Sequence, residues 1–304
     1  MNSTAEIALA RETIRTIPLL DRYDGPIERL GGLTNLVFRL GDVCLRIPGK
    51  GTEEYIDRAN EMVATAAAAD ALVAPQVIYA DASSGVFVSR FAEGARTMTP
   101  EGFRTVAGAP ARAGEAFRRL HDSGAVFPAR FELFAMIDSY LGVLSTKDVA
   151  LPQGYHEVLK EAEAVRAALS AHPLPTVACH CDPLCENFLD TGERMWIVDW
   201  EYSGMNDPMW DLGDLCVEGG FGPEQEDEMI RAYFSGTPTP AERGRITIYK
   251  AMCDLLWTLW GLIQLANDNP ADDFRAYADT RFARCRALMQ TPEFAQAVRT
   301  VKAG

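Results

Sequence analysis

Apolar residues change their spacing once along this chain, near Gly94, and that change limits the folds open to it. Between residues 27 and 91 they come in short runs bounded by turn residues. Leu36-Val37-Phe38-Arg39-Leu40 and Val43-Cys44-Leu45-Arg46-Ile47 flank Gly41-Asp42, which reads as a hairpin closed by a two-residue turn. Residues 53–70 are rich in Ala, Glu and Met and predict a helix capped by Thr52, with acids in its first turn. Two more strands are expected over 76–80 and 86–91, around Ser83-Ser84-Gly85. Ahead of all this, residues 5–16 carry a helical pattern. Beyond Gly94 the spacing predicts helices near 99–123, 131–146, 153–171, 208–219, 223–235, 239–266 and 272–290. Short strands interrupt them at 176–180, 188–190 and 195–200, the last two meeting across Thr191-Gly192. The expected fold is α+β in two parts, a small β-rich one over residues 1–92 and a larger, mainly helical one over 93–304.

Composition bounds the partners. With 304 residues, 48% apolar and 24% charged, the chain has a globular balance, which excludes disorder as its main state. A net charge of −14 would repel a phosphate backbone, so nucleic acid is not an expected partner. Seven cysteines, an odd number without framework spacing, suit reduced thiols in a cytoplasmic protein. Glu6, Arg11, Glu12 and Arg15 interrupt the first apolar runs, unlike a signal peptide. The longest apolar stretch, 255–266, lies between Asp254 and Asn267 and is too short to span a bilayer, so no membrane insertion is expected. There is no internal repeat, and the oligomeric state is not legible.

The chemistry is densest over residues 177–199. His180-x-Asp182-x-x-x-x-Asn187 reproduces the spacing of a protein-kinase catalytic loop, and Asp199 follows twelve residues later at the end of the apolar run Trp196-Ile197-Val198. Phosphoryl transfer needs these types. One carboxylate takes the proton of the acceptor hydroxyl, while an amide oxygen and a second carboxylate hold Mg²⁺ against the phosphates. Cys181 stands where protein kinases carry Arg, and Trp200-Glu201 follows Asp199 in place of Phe-Gly, which favours a small-molecule kinase. Taken singly, His180 reads as a core histidine, Asp182 as a turn residue and Asn187 as a cap; together, at these offsets, they favour the kinase. A zinc site from Cys179, His180, Cys181 and Cys185 is disfavoured, because neighbours on a strand face opposite ways.

Four further features carry less. Gly31-Gly32-Leu33-Thr34-Asn35 forms a turn able to cradle phosphate, although Gly-Gly is more often just a turn. Gly49-Lys50-Gly51-Thr52 lacks Walker A spacing. Arg46 ends a strand where a protein kinase carries its phosphate-contacting Lys, with Glu61 on the next helix as ion-pair partner. Trp257 and Trp260, three apart, share a helix face. Spacing alone favours core for them, but paired indoles also suit an N-methylated cation.

Together these pieces resemble the choline/ethanolamine kinase family, in its bacterial branch, over about residues 25–290. The match is carried by Gly31–Asn35, Leu45-Arg46-Ile47-Pro48-Gly49, Ile56-Asp57-Arg58, the 180–187 loop, Val198-Asp199-Trp200-Glu201-Tyr202, Asp211-Leu212-Gly213, residues 257–264 and Tyr277-Ala278-x-x-Arg281-Phe282. The resemblance implies a two-lobed protein-kinase-like fold with ATP in the cleft and Asp182 as catalytic base. Asn187 and Asp199 would bind Mg²⁺, supported by Glu201. Thr34 and Asn35 would cover the phosphates, Arg46 would contact them, and backbone near Ser89 to Ala92 would meet the adenine. Tyr202, Trp257, Trp260 and Tyr277, with Glu218, would hold the ammonium end of a small cationic alcohol, choline above all. Ethanolamine, thiamine and an aminoglycoside are the alternative acceptors, and a nucleotide- or amine-binding protein without turnover is the alternative of another class.

Overall fold

The computed structural model describes residues 3–30, 35–49 and 57–304. Helix α1 (Ser3–Thr16) precedes a five-stranded antiparallel sheet of β1 (Glu28–Arg29), β2 (Leu36–Leu40), β3 (Val43–Ile47), β4 (Val77–Asp81) and β5 (Val86–Arg90). Their order is β1-β2-β3-β5-β4. The expected hairpin is present: Leu40 faces Val43, and Gly41 takes the left-handed φ of +63° that the tight turn requires. Phe38, Leu40, Leu45 and Val88 point to one side and bury themselves against Ala10 and Ile14 of α1 and Ile17 just after it.

Helix α2 (Arg58–Asp70) begins later than the sequence suggested. Asp57 is its cap, in extended conformation, accepting the N–H groups of Ala59 and Asn60. Thr52, expected as the cap, and residues 53–56 lie outside the described residues. Ala64 and Ala68 of α2 join the core of the helical part, not that of the sheet. The turn after α2 is tied there as well, since Ile197 donates its N–H to the Val73 carbonyl at 2.8 Å. Arg46 on β3 and Glu61 on α2 are thus held against the segment leading to Asp199.

The second part starts with β6 (Arg96–Thr97). The single helix expected over 99–123 is two, α3 (Pro100–Thr105) and α4 (Ala109–His121). Gly108 at φ +75° and Pro110 in the first turn of α4 enforce the break. Helices α5 (Leu133–Leu144) and α6 (Tyr155–Ala171) lead to β7 (Val177–Cys179), β8 (Phe188–Asp190), β9 (Met195–Ile197) and β10 (Gly204–Asn206). Strand β7 pairs with β10, and β8 pairs with both β6 and β9. The chain closes with α7 (Met209–Glu218), α8 (Pro223–Phe234), α9 (Pro240–Ala266), α10 (Phe274–Met289) and α11 (Pro292–Ala303). β6, β10 and α11 were not anticipated.

Helix α9 is longer than the apolar run that marks it. Thr239 and Glu242 form a capping box, Pro240 starts the helix, and it runs 27 residues. That length would cross a membrane, but 83% of its most apolar window is buried within the protein. Leu255, Leu256, Leu259 and Leu262 have no exposure, each burial worth ~1.5–3 kcal/mol, so α9 is the core helix around which α5, α7, α10 and α11 pack.

Candidate active site

The catalytic-type loop leaves β7 through a backbone conformation that needs support. Cys181 is left-handed, at φ +68°, unusual for a residue with a side chain. Asp211, fully buried on α7, holds it: its carboxylate accepts the N–H groups of His180 and Cys181, both at 2.8 Å. The Trp210 indole donates to the Cys181 carbonyl at 3.0 Å. Asp211 also meets His121 Nε2 at 3.1 Å, whose other nitrogen meets the Tyr233 hydroxyl at 2.8 Å.

His180 is indeed buried, but in service of the loop. Its Nε2 donates to the Val198 carbonyl at 3.0 Å and its Nδ1 accepts the Asp182 N–H at 3.3 Å. Burial holds the ring below the usual histidine range, against the pull of Asp211, so it stays neutral in this tautomer. Asn187 closes the loop by donating its side-chain amide N–H to the Asp182 carbonyl at 3.0 Å, while its backbone carbonyl accepts Val198 N–H at 2.9 Å. Asp182, Asn187 and Asp199 are thereby brought together.

The cysteines do not converge. Cys179 Sγ points to the carbonyls of Asn206 and Asp207, Cys181 Sγ to that of Gly204 and Cys185 Sγ to that of Glu218. All seven thiols are free, and burial pushes these three up, away from thiolate character.

Across the cleft, Arg46 is 5% exposed, and the expected pair with Glu61 is formed. The guanidinium also bonds Glu201 and lies 3.8 Å from Asp199. Burial works against its charge, but Asp199, Glu61 and Glu201 prevail and raise its pKa. Arg58, quoted in the sequence but given no role there, bonds Glu61 at 2.8 Å and Glu201 at 3.1 Å. Asn35 Nδ2 donates to the same Glu201 oxygen at 2.8 Å. Three donors therefore claim that oxygen, so Glu201 ties the sheet to the Asp199 segment more than it offers a free ligand. Thr34 and the glycines before it lie outside the described residues. Of the backbone expected at adenine, the Arg90 and Phe91 N–H groups are already spent on the Gln76 and Asp42 carbonyls.

Asp199 is left-handed at φ +68°, and its buried Oδ1 has no hydrogen-bond partner. Burial first, then Glu201 and Glu61, raise its carboxyl to about 7 against Arg46 and Arg58. One oxygen each from Glu61, Asp199 and Glu201 lie within 4.8 Å of one another. The orphan carboxylate oxygen of Asp199, with the side-chain carbonyl of Asn187 in the same loop cluster, offers hard oxygen donors of the kind Mg²⁺ takes, while Glu61 and Glu201 are engaged by Arg46 and Arg58. Half-buried Asp182 is also raised, by burial and then by Glu218 and Asp199.

The acceptor side gathers the expected aromatics. Tyr202 and Trp257 meet edge to face at 5.5 Å, Trp260 and Tyr277 at 5.7 Å, and Trp260 Nε1 donates to the Tyr202 hydroxyl at 3.0 Å. Phe274, missed in the sequence, lies 5.7 Å from Trp260. The two tryptophans differ in kind. Trp257 is 4% exposed and donates to Asp214 at 3.2 Å, whereas Trp260, Tyr202 and Tyr277 are half-buried. Glu218 is ion-paired with Arg281 at 2.7 Å. Gly261 makes room for the ring of Tyr277: a Cβ there would stand 2.6 Å from its Cδ1. Asp211, Asp214, Gly261 and Arg281 all lie in or beside motifs visible in the sequence, but only their contacts reveal their parts.

The arrangement has relatives. A phosphotransferase enzyme family model matches residues 27–246. A structure of a choline/ethanolamine kinase family protein from Mesorhizobium loti is 68% identical, covers 98% of this chain and 100% of its own, and superposes with a TM-score of 0.93. The choline kinase LicA from Streptococcus pneumoniae is 26% identical, over 93% of this chain and 98% of its own, with a TM-score of 0.78. Protein LicA from Haemophilus influenzae is 25% identical over 286 residues, 89% of this chain and 82% of its own. With a sheet-bearing N-lobe and a mainly helical C-lobe that carries the catalytic-type loop, the chain has the protein-kinase-like fold of an alcohol-directed phosphotransferase and belongs to the choline/ethanolamine kinase family.

Proposed function

We propose that the protein transfers the γ-phosphoryl group of ATP to the hydroxyl of choline, giving phosphocholine and ADP. The observation that carries this reading is one juxtaposition. Asp182 and the unpartnered oxygen of Asp199 share a loop cluster with Asn187, beside the half-buried rings of Tyr202, Trp260 and Tyr277. Asp182 accepts the hydroxyl proton as the alcohol oxygen bonds the γ-phosphorus and the bond to the ADP oxygen breaks. Its raised pKa suits this role, because a base nearer neutrality takes a proton more readily than an ordinary carboxylate. Asp199 and Asn187 would hold Mg²⁺, which when bound neutralises charge on the phosphates. Arg46 and Arg58 keep Glu61 and Glu201 in place around them. Aromatic faces attract an N-methylated cation by ~0.5–2 kcal/mol per ring.

One observation favours ethanolamine as a second acceptor. Asp214 and Glu218 lie one turn apart on α7 behind the rings, and carboxylates suit a primary ammonium. The test is ATP consumption with choline, ethanolamine, thiamine and kanamycin in parallel. The reading expects the highest kcat/KM with choline. Ethanolamine ahead by more than about tenfold, a preference near 1.4 kcal/mol, would replace it. ATP turnover with none of the four would favour a binding protein.

A further inference from the structure

Arg281 is a cation built into the acceptor side. It follows Tyr277 by one turn of α10, with its guanidinium carbon 4.5 Å from the centre of that ring. One terminal nitrogen lies 2.7 Å from Glu218 on α7, and the other donates to Asp254 on α9 at 3.2 Å. The residue is 5% exposed. A single planar group thus touches three helices, and through them an acid and a ring of the proposed ammonium site.

Its two ion pairs differ in what they need. Asp254 is also held by Arg284, whose Nε donates to its second oxygen at 2.6 Å, so that carboxylate keeps a cation without Arg281. Glu218 is different. It ends α7, where the negative end of the helix dipole disfavours a carboxylate, and among the described residues Arg281 is its ion-pair partner. Without that partner the side chain gains by turning to water. Tyr277 stands in a similar position, half-buried, with Gly261 on one side and the guanidinium against its ring.

We infer that Arg281 is a positioning residue for the acceptor: its fork and stack hold Glu218 and Tyr277 in the one arrangement that receives the ammonium group. This rests on the functional reading above. The planar fork matters as well as the charge, because an ammonium group in its place could pair Glu218 without also stacking on the ring.

The test compares wild type, Arg281→Lys and Arg281→Ala by steady-state kinetics and by calorimetric titration of choline and ethanolamine, with melting temperatures alongside. In Arg281→Lys the acceptor KM and Kd should rise about tenfold, with ATP KM and kcat within about threefold of wild type. Millimolar guanidinium should lower the raised acceptor KM of Arg281→Ala, which a purely structural arginine would not predict. If Arg281→Ala does not fold, the Lys variant carries the test. An unchanged acceptor Kd in Arg281→Lys overturns the inference, as does a folded Ala variant whose raised KM ignores guanidinium. If wild type neither binds nor phosphorylates either amine, the functional reading falls and the inference with it. If wild type is active and the variants match it, only the inference falls.

Discussion

Replacing Gly261 by Ala sets two effects of opposite sign against each other. In a helix interior the change should stabilise by ~0.5–1 kcal/mol, because glycine loses more backbone freedom on folding. The added Cβ, however, would stand 2.6 Å from Tyr277 Cδ1, 3.0 Å from Cε1 and 3.5 Å from Ala278 Cβ. Carbon atoms rest at ~3.5–4.0 Å, so the overlap with the ring is about 1 Å, and overpacking of this kind costs ~1–3 kcal/mol if nothing yields. Something does yield. Helix α10 is bolted down by Arg281 and Arg284 on Asp254, while the Tyr277 side chain is half-buried and the softer part.

The expected outcome is therefore a displaced ring on an otherwise intact protein. Melting temperature should stay within about 5 °C of wild type, since the two terms largely cancel. Loss of one ring contact, ~0.5–2 kcal/mol, raises the choline KM by about 2- to 30-fold, while the ATP KM stays within about twofold. Steady-state kinetics for both substrates and a thermal melt decide it. A choline KM equal to that of wild type would refute the reasoning, and a large fall in melting temperature beside it would make Tyr277 a core residue.

Asp182→Asn should lower kcat by at least ~10²-fold with ATP binding kept, the scale of losing a general base; turnover within a few-fold of wild type removes Asp182 from that role. Asp199→Asn should raise the Mg²⁺ concentration needed for half-maximal activity, and an unchanged Mg²⁺ titration would contradict the metal assignment. In metal-free protein the Asp199 carboxyl, raised to about 7 when folded, favours the native state while protonated, so its contribution is lost as pH rises from about 4 through 7; melts across that range should show a shallower fall for Asp199→Asn. Arg46→Met leaves Glu61 and Glu201 with Arg58 as their one cation among the described residues and should destabilise by ~3–5 kcal/mol in urea unfolding, and a change below about 1 kcal/mol would show that the cluster carries no net stability.

What was legible in the sequence was local. His180, Asp182, Asn187 and Asp199 could be read because loop and strand bring them together within twenty residues. Arg46 and Glu61 could be read because a kinase places a phosphate-contacting cation at that strand end and its acidic partner on the next helix. Asp211, Asp214 and Arg281 could not. On a helix, a charged residue among apolar ones looks like the solvent side, and only tertiary contact reveals that these three face inward onto a strained loop, an indole and a glutamate. The helix over 99–123 was overextended although Gly108 and Pro110 carried the break, because the apolar spacing on both sides stays in phase. Strands β6, Arg96–Thr97, and β10, Gly204–Asn206, carry no apolar run of the kind that marks the equally short β7 and β9.

By spacing alone Trp257 and Trp260 share one choice, core or cage, and the structure divides it. Both indole N–H groups are consumed inside the protein, by Asp214 and by the Tyr202 hydroxyl. A consumed N–H cannot donate to an acceptor molecule, so what these rings can offer is their π-faces. A face attracts positive charge without requiring a hydrogen bond in return, and a trimethylammonium group has no N–H to give. A primary ammonium does have such hydrogens and would need acceptors, which here are Glu218, already paired with Arg281, and Asp214, whose Oδ2 accepts Trp257 while Oδ1 is buried without a partner. Choline loses nothing at these rings, whereas ethanolamine must share Glu218 with Arg281 or reach Asp214 behind Trp257. That difference in cost, more than the number of rings, is the reason to expect the N-methylated acceptor to have the lower KM.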